Sequence, residues 1–206
     1  MSTRRVVEFF YGSSSPWDYL AFVRLVEAAM RTQSTIVHRP VLARSLPVPG
    51  DEGSAARSAA AAAYAAKDLQ DWARFCGVRV SASVPVGADV DWAQRGAVAV
   101  AMVAQPGTRQ GRDYVEGIFR ARFTDGRDVA DRAVVVDVAR RCGIAGPEFE
   151  AILDSGATLD ALLDAVEIAL IAVVLAELFL DRLELLAEHV LALVFAHLLL
   201  DLGVDA

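Results

Sequence analysis

The stretch Val6-Val7-Glu8-Phe9-Phe10-Tyr11-Gly12-Ser13-Ser14-Ser15-Pro16-Trp17-Asp18-Tyr19-Leu20 organises the rest of the chain. An apolar, β-type run from Val6 to Tyr11 stops at Gly12. Three serines follow, and Pro16 then leads into a segment of helical apolar period. This order spells strand, tight turn and helix start, with Ser14 or Ser15 as N-cap and Pro16 at the first helical position. A helix N-terminus carries unpaired N–H donors and a partial positive charge, so a hydroxyl there can hold an anion or a thiolate. The same grammar also describes a well-capped helix and nothing more.

Working outward, residues 16–31 read as a helix, with Leu20, Val23 and Ala28 at helical spacing. Residues 35–41 (Thr-Ile-Val-His-Arg-Pro-Val) read as a second strand. A strand–helix–strand opening of this length is a βαβ unit, so the two strands are expected to be parallel. His38 has no carboxylate partner in the sequence and reads as a structural histidine. A loop with Pro47, Pro49, Gly50 and Gly53 precedes an alanine-rich helix over 55–75. There Lys67 and Asp71 stand at i, i+4 as a surface ion pair, and Trp72 is expected to pack inward. A loop or extended segment covers 77–91. Four helices follow over 92–104, 109–123, 131–142 and 147–155, punctuated by Pro106-Gly107, Thr124-Asp125-Gly126 and Gly143. Residues 157–202 contain no glycine or proline. Acidic residues are spaced between apolar ones there, which predicts one long helix or two abutting ones. Their apolar face is wide enough for a core or dimer helix.

The 206 residues suffice for one sizeable core or two small intertwined domains. The net charge of −7 and the lack of a basic stripe exclude nucleic acid as a partner. The uncharged apolar stretches 168–176 and 190–200 fall short of the roughly 20 residues a membrane span needs. Glu8 and the serine turn interrupt any signal-peptide core, so a cytoplasmic protein is expected. Cys76 and Cys142 form no C-x-x-C pair, and His189 and His197 lack Glu-x-x-His spacing, so neither a redox pair nor a metal site is expected.

Four blocks then occur in a telling order: Phe10…Ser14-Ser15-Pro16-Trp17-Asp18-Tyr19-Leu20-Ala21, His38-Arg39-Pro40-Val41-Leu42, Tyr64…Lys67-Asp68-Leu69…Asp71-Trp72-Ala73…Gly77-Val78, and Ile118-Phe119-Arg120-Ala121-Arg122-Phe123…Gly126-Arg127-Asp128-Val129…Asp131. Together they resemble the 2-hydroxychromene-2-carboxylate isomerases and kappa-class glutathione transferases of the DsbA-like thioredoxin superfamily, over roughly residues 5–155. The resemblance implies an α/β fold: a thioredoxin-like βαβ start and an inserted all-helical domain, with the C-terminal segment expected to be mainly helical. The thioredoxin-like domain would comprise 1–45 and 156–206, and the insertion 46–155. It implies glutathione as cofactor, a small aromatic or unsaturated acid as substrate, and a homodimer. It assigns the catalytic role to Ser15, whose hydroxyl would hydrogen-bond the glutathione sulfur and keep it as thiolate. Ser14, Pro16, Trp17, Asp181 and Arg182 would bind the cofactor. Redox relatives carry cysteines where this chain has Ser15 and Asp18, so the motif excludes thiol–disulfide exchange.

The rear half departs from the family pattern. The family's Gly-Val-Pro-Thr loop is missing, because no proline follows Pro147. In its place stands Ile168-Ala169-Leu170-Ile171-Ala172-Val173-Val174-Leu175-Ala176, of which Val173-Val174 suit a strand. The family's asparagine-bearing loop is altered to Val86-Gly87-Ala88-Asp89. A second reading therefore stands beside the enzyme: a non-catalytic relative whose C-terminal half serves as a helical dimerisation or partner surface.

Overall fold

A computed structural model describes residues 5–42, 59–81, 91–104, 107–144 and 146–171. The chain divides into two compact units, residues 1–166 and 167–206. The first unit opens with β1 (Val6–Tyr11), α1 (Pro16–Thr32) and β2 (Thr35–Pro40). The two strands are parallel and in register from Val6 opposite Thr35 to Tyr11 opposite Pro40, as the βαβ reading requires. Helices α2 (Ala59–Phe75), α3 (Asp91–Ala104), α4 (Arg109–Phe123), α5 (Arg132–Arg141) and α6 (Pro147–Asp154) follow. Residues 156–166 close the unit as α7, and 167–171, also helical, are what is described of the second unit.

An aromatic cluster joins the βαβ unit to the helices. Phe9 stacks on Tyr11 with ring centroids 5.4 Å apart, Tyr11 meets Phe119 at 5.6 Å, and Phe119 also meets Tyr19 and Phe22 at 5.4 and 5.6 Å. Period 2 puts Phe9 and Tyr11 on one face of β1, and helical spacing brings Tyr19 and Phe22 to the same place from α1. Phe119 and Phe123, one turn apart on α4, complete the cluster. Burial of rings this large is the main apolar contribution to holding the helical layer on the strands.

Helix α3 is the hub of that layer and packs against α4, α5 and α6. Its run Gly96-Ala97-Val98-Ala99-Val100 is buried, and its small side chains let neighbours approach closely. Tyr114 of α4 lies over Gly96 and donates its hydroxyl to the Ala93 carbonyl at 3.2 Å. A Cβ at Gly96 would stand 2.0 Å from the Tyr114 hydroxyl oxygen.

Two local expectations need comment. Lys67 and Asp71 do pair, at 2.6 Å. Trp72 does not pack inward: it is 49% exposed and meets Phe75 edge-on. The residues of α2 that pack on the core are Leu69, Ala73 and Cys76, at i, i+4 and i+7, and position 72, at i+3, lies at the edge of that stripe. Asp181, Arg182, Val173, Val174 and the two C-terminal histidines lie outside the described residues. Among the described residues, no helix is long and apolar enough to cross a membrane, and no group of three metal-ligating side chains gathers.

Replacing glycine by alanine in a helix interior ordinarily stabilises by about 1 kcal/mol. Gly96→Ala is expected to reverse that sign and cost about 1–3 kcal/mol, because Tyr114 must be displaced. A urea midpoint equal to or above that of the parent would refute the close-packing account.

Candidate active site at the serine turn

The turn between β1 and α1 is built from local hydrogen bonds first. Ser15 is the N-cap of α1, with extended backbone (φ −93°, ψ 117°), and Pro16 occupies the first helical position. The Ser15 hydroxyl oxygen accepts from the Asp18 backbone N–H at 3.1 Å, which satisfies one of the open donors of the first turn. The Ser15 N–H donates back to the Gly12 carbonyl at 3.1 Å, closing the turn. The Asp18 carboxylate accepts from the Gly12 N–H at 2.8 Å. Ser-x-x-Asp is thus a capping-box variant in which the acid reaches the turn glycine rather than the cap's own N–H. That spacing is present in the sequence and could have assigned Asp18 this role in advance.

The turn is then fixed from outside by Gln94 of α3, which is fully buried. Its amide nitrogen donates to the Tyr11 carbonyl at 2.8 Å and to the Val41 carbonyl at 2.7 Å. Its amide oxygen accepts from the hydroxyl of Ser13, itself buried. Both amide hydrogens and the oxygen are engaged, so the side chain is satisfied despite its burial. Reading the sequence did not single out Gln94. The available signal was a polar residue at a buried position of an apolar helix. Its neighbour Arg95 leans over the Trp92 ring and binds the Thr158 hydroxyl and the Ser155 carbonyl at 2.9 and 3.0 Å, tying α3 to the start of α7.

Of the residues assigned from the sequence, Ser14, Ser15, Pro16 and Trp17 sit together on this turn. Ser14, Ser15 and Pro16 are half-buried and Trp17 is exposed. Asp181 and Arg182 belong to the segment that is not described. Burial raises the Asp18 carboxyl above the usual aspartate range, against the opposing pull of the Gly12 N–H and the Ser15 hydroxyl. His38 lies on β2 with its ring 5.9 Å from Phe22. Burial, reinforced by the Arg112 guanidinium, lowers its pKa to about 4, so it is neutral at pH 7. Its buried Nε2 has no hydrogen-bond partner among the described residues. Cys76 and Cys142 are free thiols at the ends of α2 and α5, outside the serine turn.

A family model described as DsbA-like thioredoxin domain matches residues 6–169. Among solved structures, a 2-hydroxychromene-2-carboxylate isomerase is similar at 25% identity, over 80% of this chain and 78% of that one, with a TM-score of 0.67. A putative protein disulfide isomerase from Nitrosomonas europaea is similar at 15% identity over 80% and 78%, with a TM-score of 0.62. The cytosolic disulfide reductase DsbM from Pseudomonas aeruginosa, solved with GSH, is similar at 16% identity over 79% and 78%, with a TM-score of 0.58. The last two likenesses concern the fold alone. No curated protein sequence matches the chain.

Two expectations follow from this geometry. Gln94→Leu takes from the Val41 carbonyl and the Ser13 hydroxyl their partner on Gln94 and from the Tyr11 carbonyl the second of its two bonds; it is expected to cost about 1–3 kcal/mol in chemical denaturation, and a change within error would show the tie to be dispensable. Asp18 has a raised folded pKa, so its contribution to stability is complete below the unfolded value of about 3.9 and is lost as pH rises through the folded value. Asn keeps an acceptor for the Gly12 N–H and never ionises. Asp18→Asn should therefore stabilise the protein at pH 7, with an advantage that shrinks toward pH 4. A difference independent of pH would contradict the raised pKa.

Proposed function

The chain belongs to the DsbA-like thioredoxin-domain family, and on that premise we propose that it is a glutathione-dependent isomerase of a small unsaturated or aromatic acid. The similar solved proteins include an isomerase and a disulfide reductase, both enzymes. The observation that carries the proposal is the Ser15 hydroxyl at the N-cap of a 17-residue helix, in a turn that holds no thiol of its own. A serine there cannot form a disulfide, so the thiol must arrive with a small molecule.

The residues of the turn fit a bound sulfur anion. The Ser15 oxygen is already committed as acceptor to the Asp18 N–H, which leaves its hydrogen as the donor. The ionised Asp18 carboxylate competes for that hydrogen, whereas protonated Asp18 releases it. Burial moves Asp18 toward the protonated form, and an anion beside it moves it further the same way. Ser15 would then donate to the sulfur, with the α1 dipole adding favourable charge at the same point. Gln94 and the Gly12–Asp18 bond hold the hydroxyl in place, so little reorganisation is needed on binding. When bound, glutathione supplies a nucleophilic sulfur that adds to a double bond, permits rotation and leaves again. Trp17, exposed next to Ser15, offers an apolar surface for an unsaturated substrate.

Calorimetry with glutathione and ultraviolet titration of the bound thiol test this reading. Glutathione is expected to bind, and Ser15→Ala should raise the pH at which the bound thiol ionises by about one unit. No binding at millimolar glutathione removes the cofactor, and an unchanged titration removes the role of Ser15.

A further inference from the structure

A second site lies at the opposite end of the strands. A cavity of about 910 Å³ opens between the C-terminal half of α1, the start of β2 and the first turn of α4. Thr35, on its wall, pairs with Val6 at the start of β1, whereas Ser15 follows the far end of that strand. Six residues at about 3.3 Å each separate the two by roughly 20 Å. The cavity is therefore not part of the serine turn.

Its walls divide by chemistry. Val26, Met30 and Ile36 make an apolar floor, while Arg5, Arg109 and Arg112 supply three guanidinium groups. Among the described residues, the carboxylate paired with these groups is Asp113, which meets Arg109 at 3.3 Å and Arg112 at 3.2 Å. One carboxylate against three cations leaves a surplus of positive charge, in a chain whose net charge is −7. No described lining residue is acidic. His38 lines the same cavity, and its buried Nε2 has no hydrogen-bond partner among the described residues. Gly107 shapes the wall: its φ of +76° turns the chain into α4, and its Cα–H side packs so close to Thr35 that a Cβ would come within 2.8 Å of that side chain.

We propose that this cavity binds an organic anion: a carboxylate or other oxyanion head held by Arg112 and Arg109, with an apolar body lying against Met30 and Ile36. Guanidinium groups match such heads with paired donors, and an apolar floor of this size accommodates a ring system. His38, neutral at pH 7, adds no charge to this wall. The site is separate from the glutathione reading and stands whether or not that reading holds.

The probe is 1-naphthoate, titrated calorimetrically into the full chain, with neutral 1-naphthalenemethanol and inorganic phosphate as companions. Naphthoate is expected to bind once per chain, and each companion at least about tenfold more weakly, since each lacks one half of the recognition. Arg112→Gln should weaken naphthoate about tenfold, the effect of one charge-assisted hydrogen bond. The well-exposed Arg109→Gln, which carries little risk to folding, should weaken it in the same direction. Ser15→Ala should leave it unchanged. Absence of naphthoate binding overturns the proposal, as does binding by both arginine variants as tight as that of the parent chain. Phosphate binding as tight as naphthoate overturns the apolar half of the recognition. Loss of binding in Ser15→Ala, or competition by glutathione, moves the anion to the serine turn and likewise overturns it.

Discussion

The buried amide of Gln94 is the interaction on which the geometry of the serine turn depends. Where parallel strands end, carbonyl groups run out of ladder partners, and here the ends of both strands lie side by side. The Tyr11 carbonyl takes its last ladder bond from the Val41 N–H at 2.9 Å and a second from Gln94; the Val41 carbonyl is met by Gln94 as well. A polar side chain this deep is costly unless each of its groups is engaged. It is engaged here, and the third bond falls on Ser13, inside the turn. The helical layer therefore sets the shape of the strand–helix junction as well as covering it. The aromatic cluster around Phe119 brings α4 onto the same strands and keeps that registration rigid.

Within the turn, two effects act on the same carboxyl. A helix N-terminus favours an anion at the third position, and the Gly12 N–H favours it further. Desolvation disfavours it, and for Asp18 desolvation wins. The Ser15 hydroxyl oxygen meets the backbone N–H of the same residue, so in this chain serine and aspartate form a capping pair across the turn. At the other end of the strands the balance of charge differs, with Arg5, Arg109 and Arg112 set, among the described residues, against the carboxylate of Asp113.

Much of the first unit was legible in local patterns. The strand from Val6 to Tyr11, the cap at the serines, the proline at the first helical position and the second strand from Thr35 all rest on residues within one turn or one strand of each other. Gly126 and Gly143, with φ of +67° and +73°, stop helices where the sequence places glycine after a helical run. The ordered blocks pointed to the DsbA-like family, which the match over residues 6–169 bears out. Trp72 went the other way, because an alanine-rich helix has several faces of similar hydropathy and its inward stripe is chosen by what it packs against.

What the chain's sequence determined alone was therefore the described elements of the first unit, their order, and a serine cap followed by Pro16 at the head of α1. Periodicity, capping and turn chemistry act over a few residues, so they are written where they act. Tertiary structure decided which polar groups are shared across the fold. Gln94 reaches Tyr11, Ser13 and Val41 across 83, 81 and 53 residues of chain, and no local pattern encodes such a partner. The same holds for the cavity beside Arg112, whose floor and cationic wall come from segments that meet only after the strands have paired. Satisfaction of buried hydrogen bonds and the placing of unlike charges are properties of the assembled interior, and they are settled when it closes.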